Sequence, residues 1–140
     1  MSQSVPKARL SLIEKIVAAA PSRDRDAGSA AFLRAYFRGV GETDLAERPA
    51  RLLAAIALAH RSLGARRQRG MPRVRVFSPA QKPDGFESQG TIVFVITDNM
   101  PFLLDSISIV LLRQGPASTS SRTRFSACSA LPAGACDRCC

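Results

Sequence analysis

The segment TIVFVITDNMPFLLDSISIVLLRQG, residues 91–115, contains the pattern that decides the fold class. Its first part, Thr91 to Thr97, is a β-branched and aromatic run that is apolar on both faces, which predicts a central strand covered on both sides. A short polar turn follows, and apolar residues then recur at helical spacing until Gly115 ends the helix. The segment therefore predicts a strand, a turn and a helix in succession.

The turn between that strand and that helix is the candidate functional site, and it consists of Asp98, Asn99, Met100, Pro101 and Phe102. Two interpretations stay open. Free N–H groups at a helix N-terminus favour an anion, such as the carboxylate of an amino-acid effector. Alternatively the turn is structural, with Asp98 capping the helix and Pro101 starting it. We favour the structural interpretation, because Asp98 is itself an anion that would occupy those donors.

A second short strand is predicted upstream, at Arg73 to Phe77, where polar and apolar residues alternate. Residues 78–90 contain two Pro and two Gly, which predicts a loop or hairpin connection. Before residue 70 the periodicity is helical. It predicts helices at Lys7–Ala20 and Ser29–Arg38, a short turn with Thr43 as N-cap, and a longer helix from Ala50 to about Arg66. The apolar side of the last helix is predicted to consist of Leu52, Leu53, Ile56, Leu58 and Ala59.

The composition changes after Gly115. Residues 116–140 contain no Val, Ile or Met, and this stretch predicts a disordered tail because it offers too little apolar surface to offset the entropy lost on folding. All four cysteines lie in it, namely Cys128, Cys136, Cys139 and Cys140. The C-x-x-C of Cys136 and Cys139 could be half of a zinc site, but Cys128 would then have to serve as a ligand with no His nearby. The segment also lacks the apolar residues of a small zinc module, so no metal is expected. The predicted organisation is a helix and linker at 1–27, a helical segment at 28–70, a β-α unit at 71–115 and a tail at 116–140.

The overall composition indicates one soluble domain with a tail. The 140 residues are 46% apolar and 22% charged. No apolar run approaches the roughly 18 residues that a membrane span needs. The N-terminus lacks the apolar core of a signal peptide, so we expect a cytoplasmic protein without a membrane partner.

The formal net charge of +9 raises nucleic acid as a partner. A basic run could contact phosphates, but no aromatic residues suited to base stacking accompany it, so nucleic acid is not the expected partner. This run comprises Arg61, Arg66, Arg67, Arg69, Arg73 and Arg75. His60 is the only histidine, and with no second ligand near it we expect it on a helix surface. No catalytic residue is identified.

The strand, turn and helix resemble the opening of an ACT-type regulatory domain, a ferredoxin-like βαββαβ unit. The residues that carry this resemblance are Asp98, Pro101, Leu103, Leu104, Ile107, Leu111 and Gly115. The ACT pattern has Gly after Pro, where this chain has Phe102. Because a small residue lets a backbone approach a ligand closely, this departure argues against amino-acid binding at the turn.

Six short strings in a fixed order carry a more specific resemblance, over residues 33–115. They are YFR at 36–38, DLAER at 44–48, ALAH at 57–60, VRVFSP at 74–79, DGFES at 84–88 and TDNMPFLLDS at 97–106. Together they resemble the N-terminal end of the large bacterial NAD-specific glutamate dehydrogenases. In that family the last string typically reads Asp-Asp-Met-Pro-Phe-Leu-Val-Asp-Ser, so Asn99 and Leu104 are mild departures.

The resemblance implies an α+β fold, in which N-terminal helices precede the first strand and helix of an incomplete ACT-like domain. It implies a regulatory or scaffold segment of a homo-oligomeric enzyme that converts L-glutamate, NAD and water to 2-oxoglutarate, ammonia and NADH. In that family NAD and glutamate bind far downstream, and this chain has no G-x-G-x-x-G fingerprint, so alone it is expected to be inactive and to hold no cofactor. Two alternatives stay open: a stand-alone ACT-like amino-acid-sensing or protein-interaction module, and a basic nucleic-acid binder.

The resemblance ends near Gly115, and the genetic code allows a change of reading frame at this point. Codons for residues 115–127, read from the third base, permit Ala-Gly-Val-Asp-Val-Leu-Ala-His-Pro-Val-Leu-Arg. This reading restores a strand-like run and the His-Pro that the family has at this place. We therefore expect a truncated fragment with a frameshifted tail; the alternative is a genuine disordered tail of a short protein.

Overall fold

The computed structural model describes residues 7–80, 85–87, 90–98 and 100–113. This part of the chain contains five α-helices and a two-stranded antiparallel sheet, which confirms the α+β class. The helices are α1 (Lys7–Ala18), α2 (Ala27–Phe37), α3 (Glu42–Ala46), α4 (Ala50–Gly64) and α5 (Leu103–Arg113), and the strands are β1 (Arg73–Phe77) and β2 (Ile92–Ile96). The predicted tail at 116–140 lies outside the described residues.

Helices α1 to α4 pack into a helical layer around an apolar core. The core residues are Ile13, Ile16, Ala20, Phe32, Leu33, Tyr36, Phe37, Leu45, Ala54 and Ala57. Helix α1 ends before Pro21, which cannot continue a helix. Across the surface of this layer Arg34 donates two hydrogen bonds to the Glu14 carboxylate, at 2.7 and 3.0 Å, and so joins α2 to α1.

Two helix starts differ from the prediction. Helix α2 begins at Ala27, two residues early, because the Asp26 carboxylate accepts a hydrogen bond from the Ser29 backbone N–H at 2.8 Å. Thr43 is not an N-cap: α3 begins at Glu42, and the preceding Gly41 is the extended residue at its start. Burial of Leu45, which is 3% exposed, explains the position of this short helix.

The buried face of α4 differs from the predicted one. Its buried residues are Ala54, Ala57 and His60, whereas the larger Leu53 and Leu58 are only half-buried against the core. Small side chains at successive turns let α4 approach its neighbours closely. At its C-terminal end, a Cβ built on Gly64 would lie 3.5 Å from the Ile96 side chain, so this end of α4 lies against β2.

Strands β1 and β2 form an antiparallel hairpin in which Arg75 pairs with Phe94 and Val76 with Val93. Side chains alternate between two faces, and the face that carries Phe94 packs against α4. The opposite face carries only valines along the paired strands, and we call Val74, Val76, Val93 and Val95 the valine face. Val74 is 61% and Val76 is 63% exposed.

The expectation that β2 is covered on both sides is therefore wrong for the described residues, where helices cover only one face of the hairpin. Within those residues β2 also has β1 as its single neighbouring strand. No helix in this part of the chain is long and apolar enough to cross a membrane.

Candidate functional site

The turn that follows β2 is held by an ion pair. The Arg67 guanidinium donates to the Asp98 carboxylate, and its Nε donates to the Met71 carbonyl oxygen at 3.0 Å. The Arg67 side chain is 15% exposed, whereas that of Asp98 is 56% exposed. Arg67 thus connects the segment after α4 to the end of β2, and we call this contact the Arg67–Asp98 latch.

Two predictions about the turn are wrong. Asp98 does not cap the following helix, because that helix begins only at Leu103 and the Asp98 carboxylate pairs with Arg67. Pro101 does not start the helix either. Phe102 lies between Pro101 and Leu103, and its φ of +59° is one that a right-handed helix cannot contain. Its carbonyl oxygen accepts the first helical hydrogen bond, from Ser106 N–H at 2.9 Å.

Phe102 occupies the place at which the ACT pattern has glycine, and its backbone is in the left-handed region that glycine adopts freely. Its side chain is 78% exposed, and Met100 beside it is 49% exposed. Asn99 lies outside the described residues. The turn therefore presents apolar side chains and a carboxylate that already has a cationic partner.

An open groove of about 360 Å³ lies beside the latch. It is lined by Leu63, Gln68, Met71, Pro72, Arg73 and Val74, and none of the described turn residues is among them. Asp98 and Phe102 therefore do not line this groove. A second depression of about 210 Å³ lies between α1 and α2 and is far from the turn in sequence.

His60 is buried, so the expectation of a surface histidine is wrong. It is 9% exposed, and its ring stacks on Phe94 with centroids 4.6 Å apart and planes 10° apart. Its Nδ1 lies 2.9 Å from the Tyr36 hydroxyl, and its buried Nε2 has no hydrogen bond of normal geometry within the described residues. Burial lowers the pKa of His60, and the Val95 backbone opposes that shift. His60 thus joins α2, α4 and β2.

The predicted basic run is partly engaged in contacts within the chain. Arg61 donates to the buried Ser29 hydroxyl at 2.9 Å and lies 5.3 Å from the centre of the Phe32 ring. Arg75 lies 4.0 Å from the centre of the Phe77 ring, and Arg67 forms the latch. These arginines position elements of the fold. Sequence reasoning missed this role for Arg61 and Arg67 because Ser29, Phe32 and Asp98 are distant from them in sequence.

The structure brings together no cluster of three or more His, Cys, Asp or Glu side chains suited to a metal, as far as the described residues go. The four cysteines lie outside them. The carboxylate with the best-defined environment is Asp26, whose pKa is lowered by hydrogen bonds from the side chain and backbone of Ser29. Its position at the start of α2 makes it a helix cap.

Comparison with known proteins gives one family. Residues 32–123 match the family described as "Glutamate dehydrogenase, ACT1 domain". The chain is 30% identical over 112 residues to an NAD-specific glutamate dehydrogenase of Halomonas elongata, which is 78% of this chain and 7% of that protein. It is 32% identical over 84 residues to the NAD-specific glutamate dehydrogenase of Pseudomonas aeruginosa, which is 60% of this chain and 5% of that protein.

The matched range starts one residue before the resemblance at residues 33–115 and ends eight residues after it. The matched part of the chain spans less than a tenth of the length of these two relatives. No solved structure matches it significantly.

Proposed function

Because the chain belongs to the ACT1-domain family of glutamate dehydrogenases, we propose that it is a regulatory or scaffold segment from the N-terminal region of an NAD-specific glutamate dehydrogenase. The observation that carries this proposal is the family match over residues 32–123, which includes both strands, the turn and α5. The packing supports a scaffold role. The helical layer, the hairpin and the turn are joined by the His60 contacts and the Arg67–Asp98 latch.

The parent reaction in this proposal is the oxidative deamination of L-glutamate by NAD and water to 2-oxoglutarate, ammonia and NADH. This reaction is a step of amino-acid catabolism, and in this proposal the parent enzyme is a cytoplasmic homo-oligomer. Dehydrogenase chemistry needs a site for the dinucleotide pyrophosphate, which a glycine-rich turn before a helix commonly supplies. The sequence has no G-x-G-x-x-G string. NAD binding and catalysis are therefore assigned to the parent polypeptide outside these residues.

The regulatory part of the proposal concerns the turn of Asp98, Met100, Pro101 and Phe102. An amino-acid effector would offer a carboxylate to the start of α5 and would compete with Asp98 for Arg67. The Arg67–Asp98 latch and the bulk of Phe102 favour a structural turn over an effector site. We therefore propose that the segment transmits or supports regulation, and that the turn itself is a structural connection.

The first test measures glutamate-dependent NAD reduction by the purified 140-residue chain, followed as NADH absorbance. We expect no activity above a buffer control, since the proposal places the NAD site elsewhere. Activity from this chain would contradict the proposal. The genomic sequence downstream, read in all three frames from the codon of Gly115, tests whether a parent reading frame follows.

A second test separates the structural turn from an effector site, in a full-length dehydrogenase that carries this segment. We expect Asp98→Ala to lower thermal stability slightly while leaving the amino-acid dependence of activity unchanged. Asp105→Ala is the matched control, because it removes the same charge from the exposed first turn of α5. A changed effector response in Asp98→Ala, with an unchanged response in Asp105→Ala, would make the turn an effector site.

A further inference from the structure

We propose that His60 is a pH-responsive joint between the helical layer and the β1–β2 hairpin, which holds the hairpin when its imidazole is neutral and releases it when the imidazole is protonated. This property belongs to the chain alone and does not depend on the proposed function. It rests on the position of His60, between the Tyr36 hydroxyl of α2 and the Phe94 ring of β2.

The joint occupies the main contact between the two parts of the described structure. Among the contacts of the hairpin with the helices, that of α4 with β2 is the principal one. It is formed by the stacked rings of His60 and Phe94 and by the approach of Gly64 to Ile96. Phe94 also contacts Phe77 of β1, at 5.3 Å between ring centres, so displacing Phe94 disturbs both strands.

The site accommodates a neutral ring better than a charged one. A neutral imidazole forms one hydrogen bond with the Tyr36 hydroxyl, whereas an imidazolium carries two donors, and the buried Nε2 has no acceptor of normal geometry within the described residues. The Val95 backbone favours the charged ring, but the effect of burial on the pKa of His60 is larger. A buried charge without a full set of partners is strongly disfavoured. Attraction between an imidazolium and the Phe94 ring face is the weaker effect, so it does not reverse this preference.

The charged groups of the surrounding elements do not compensate an imidazolium. On α4 the neighbouring Arg61 is itself a cation, turned toward Ser29 and the Phe32 ring. On the hairpin, Arg75 is a second cation, opposite Phe94 in the register. On α2, Tyr36 offers a hydroxyl and Arg34 is a cation. Three carboxylates of the helical layer and the turn bind other groups than His60: Glu14 binds Arg34, Asp26 binds Ser29 and Asp98 binds Arg67.

The direction of the pH effect follows from these contacts. The pKa of His60 is lowered in the folded chain by burial, so the unfolded or released state binds a proton more readily. The contact is therefore fully favoured above the ordinary histidine pKa of about 6.5. It weakens as the pH falls from there toward the lowered pKa. In that window each fall of one pH unit is expected to reduce the equilibrium constant for attachment of the hairpin to the helical layer about tenfold.

The test combines two measurements on dilute 140-residue chain. The pKa of the single histidine is read from the nuclear magnetic resonance signal of a ¹³C-labelled ring, and we expect a value below 6.5. Hydrogen exchange of peptides covering β1 and β2, corrected for intrinsic rates, is followed by mass spectrometry from pH 7.5 to 5. We expect protection of these strands to fall about tenfold per pH unit in the titration window, while α1 and α2 stay protected.

Variants distinguish the joint from general acid sensitivity. In His60→Gln, which cannot take up a proton, the pH dependence of hairpin protection should disappear. Should that variant fail to fold, Phe94→Leu provides the second arm, since loss of the stacked ring should raise the pKa of His60 toward its ordinary value. Asp98→Asn is the control for the latch and should keep the pH dependence. A His60 pKa at or above 6.5, a response that persists in His60→Gln, or parallel loss of helices and hairpin would overturn the proposal.

Discussion

Phe102 holds a backbone conformation that suits glycine, and its ring is 78% exposed. For an L-residue with a Cβ, the left-handed region costs roughly 1–2 kcal/mol, and burial of the ring offsets little of this. The strain coincides with the point where the chain leaves the turn and α5 begins. The left-handed residue therefore sets the direction of α5 relative to β2.

Two substitutions at this position separate the backbone effect from the side chain. Phe102→Gly and Phe102→Ala both remove the exposed ring, but only glycine relieves the positive φ. We expect the glycine variant to be more stable than the alanine variant by about 1 kcal/mol in the free energy of unfolding. Urea unfolding followed by circular dichroism measures this difference. Equal stabilities, or a more stable alanine variant, would mean that the left-handed conformation is not what the native turn requires.

Sequence reasoning located the turn correctly but misjudged single residues within and around it. Asp98 and Pro101 follow the usual pattern of a helix start, and the pattern gave no sign that Arg67 would capture the carboxylate. The sequence predicts His60 at a helix surface because no second ligand is near it and it stands beside Arg61. Its burial depends on Tyr36 and Phe94, and contacts between distant residues are not contained in local spacing.

Helix α4 is the element on which the arrangement depends, since it contacts α1 and α2 on one side and β2 on the other. The sequence predicted its existence and most of its length, because its periodicity is clear. The buried face was predicted wrongly because bulky apolar residues were given more weight than small ones. Ala54 and Ala57 are fully buried, since close approach of helices favours small side chains over Leu52 and Ile56.

Strand β2 offers a matched pair of substitutions at neighbouring positions on opposite faces. Phe94 is 4% exposed against α4, and Val93 is 39% exposed on the valine face. We expect Phe94→Ala to lower the free energy of unfolding by about 3–5 kcal/mol, because it removes the aromatic side chain at the helix–hairpin contact. Val93→Ala should cost well under half of that, about 1 kcal/mol or less, since little of its apolar surface is buried.

Denaturant unfolding of the two variants and the unaltered chain, under identical conditions, provides the comparison. Hydrogen exchange of β1 adds a local measurement, because Phe94 also contacts Phe77 in that strand. Protection of β1 should fall in Phe94→Ala and persist in Val93→Ala. Similar losses of unfolding free energy in the two variants would show that the face toward α4 contributes no more to stability than the valine face, which would contradict the packing described above.

The molecule as a whole combines a well-packed helical layer with a sheet that is covered on one face in the described residues. Composition could predict neither feature, because the apolar fraction of 46% is ordinary and does not reveal where the apolar surface lies. The register of the hairpin supplies this information. Val74 pairs with Val95 and Val76 with Val93, so four valine side chains lie together on one surface and both strand arginines lie on the other. Exposed apolar patches and free strand edges both favour association.

We therefore expect the purified chain to self-associate as its concentration rises, despite repulsion from the net charge of +9. The double variant Val76→Lys with Val93→Glu tests the cause. These positions pair directly across the hairpin, so opposite charges there are compatible with the strands while removing apolar surface. Sedimentation velocity over a concentration series should show a markedly larger monomer fraction in this variant, with an unchanged circular dichroism spectrum.

Leu10→Lys is the matched control for this experiment, because Leu10 is 49% exposed on α1 and lies outside the hairpin. It removes an exposed apolar side chain and adds a charge, yet it leaves the valine face intact. Association should therefore continue in this control much as in the unaltered chain. An unaltered chain that stays monomeric and melts cooperatively would contradict the expectation. If Leu10→Lys raised the monomer fraction as much as the double variant does, the association would result from general surface properties, since only the double variant alters the valine face.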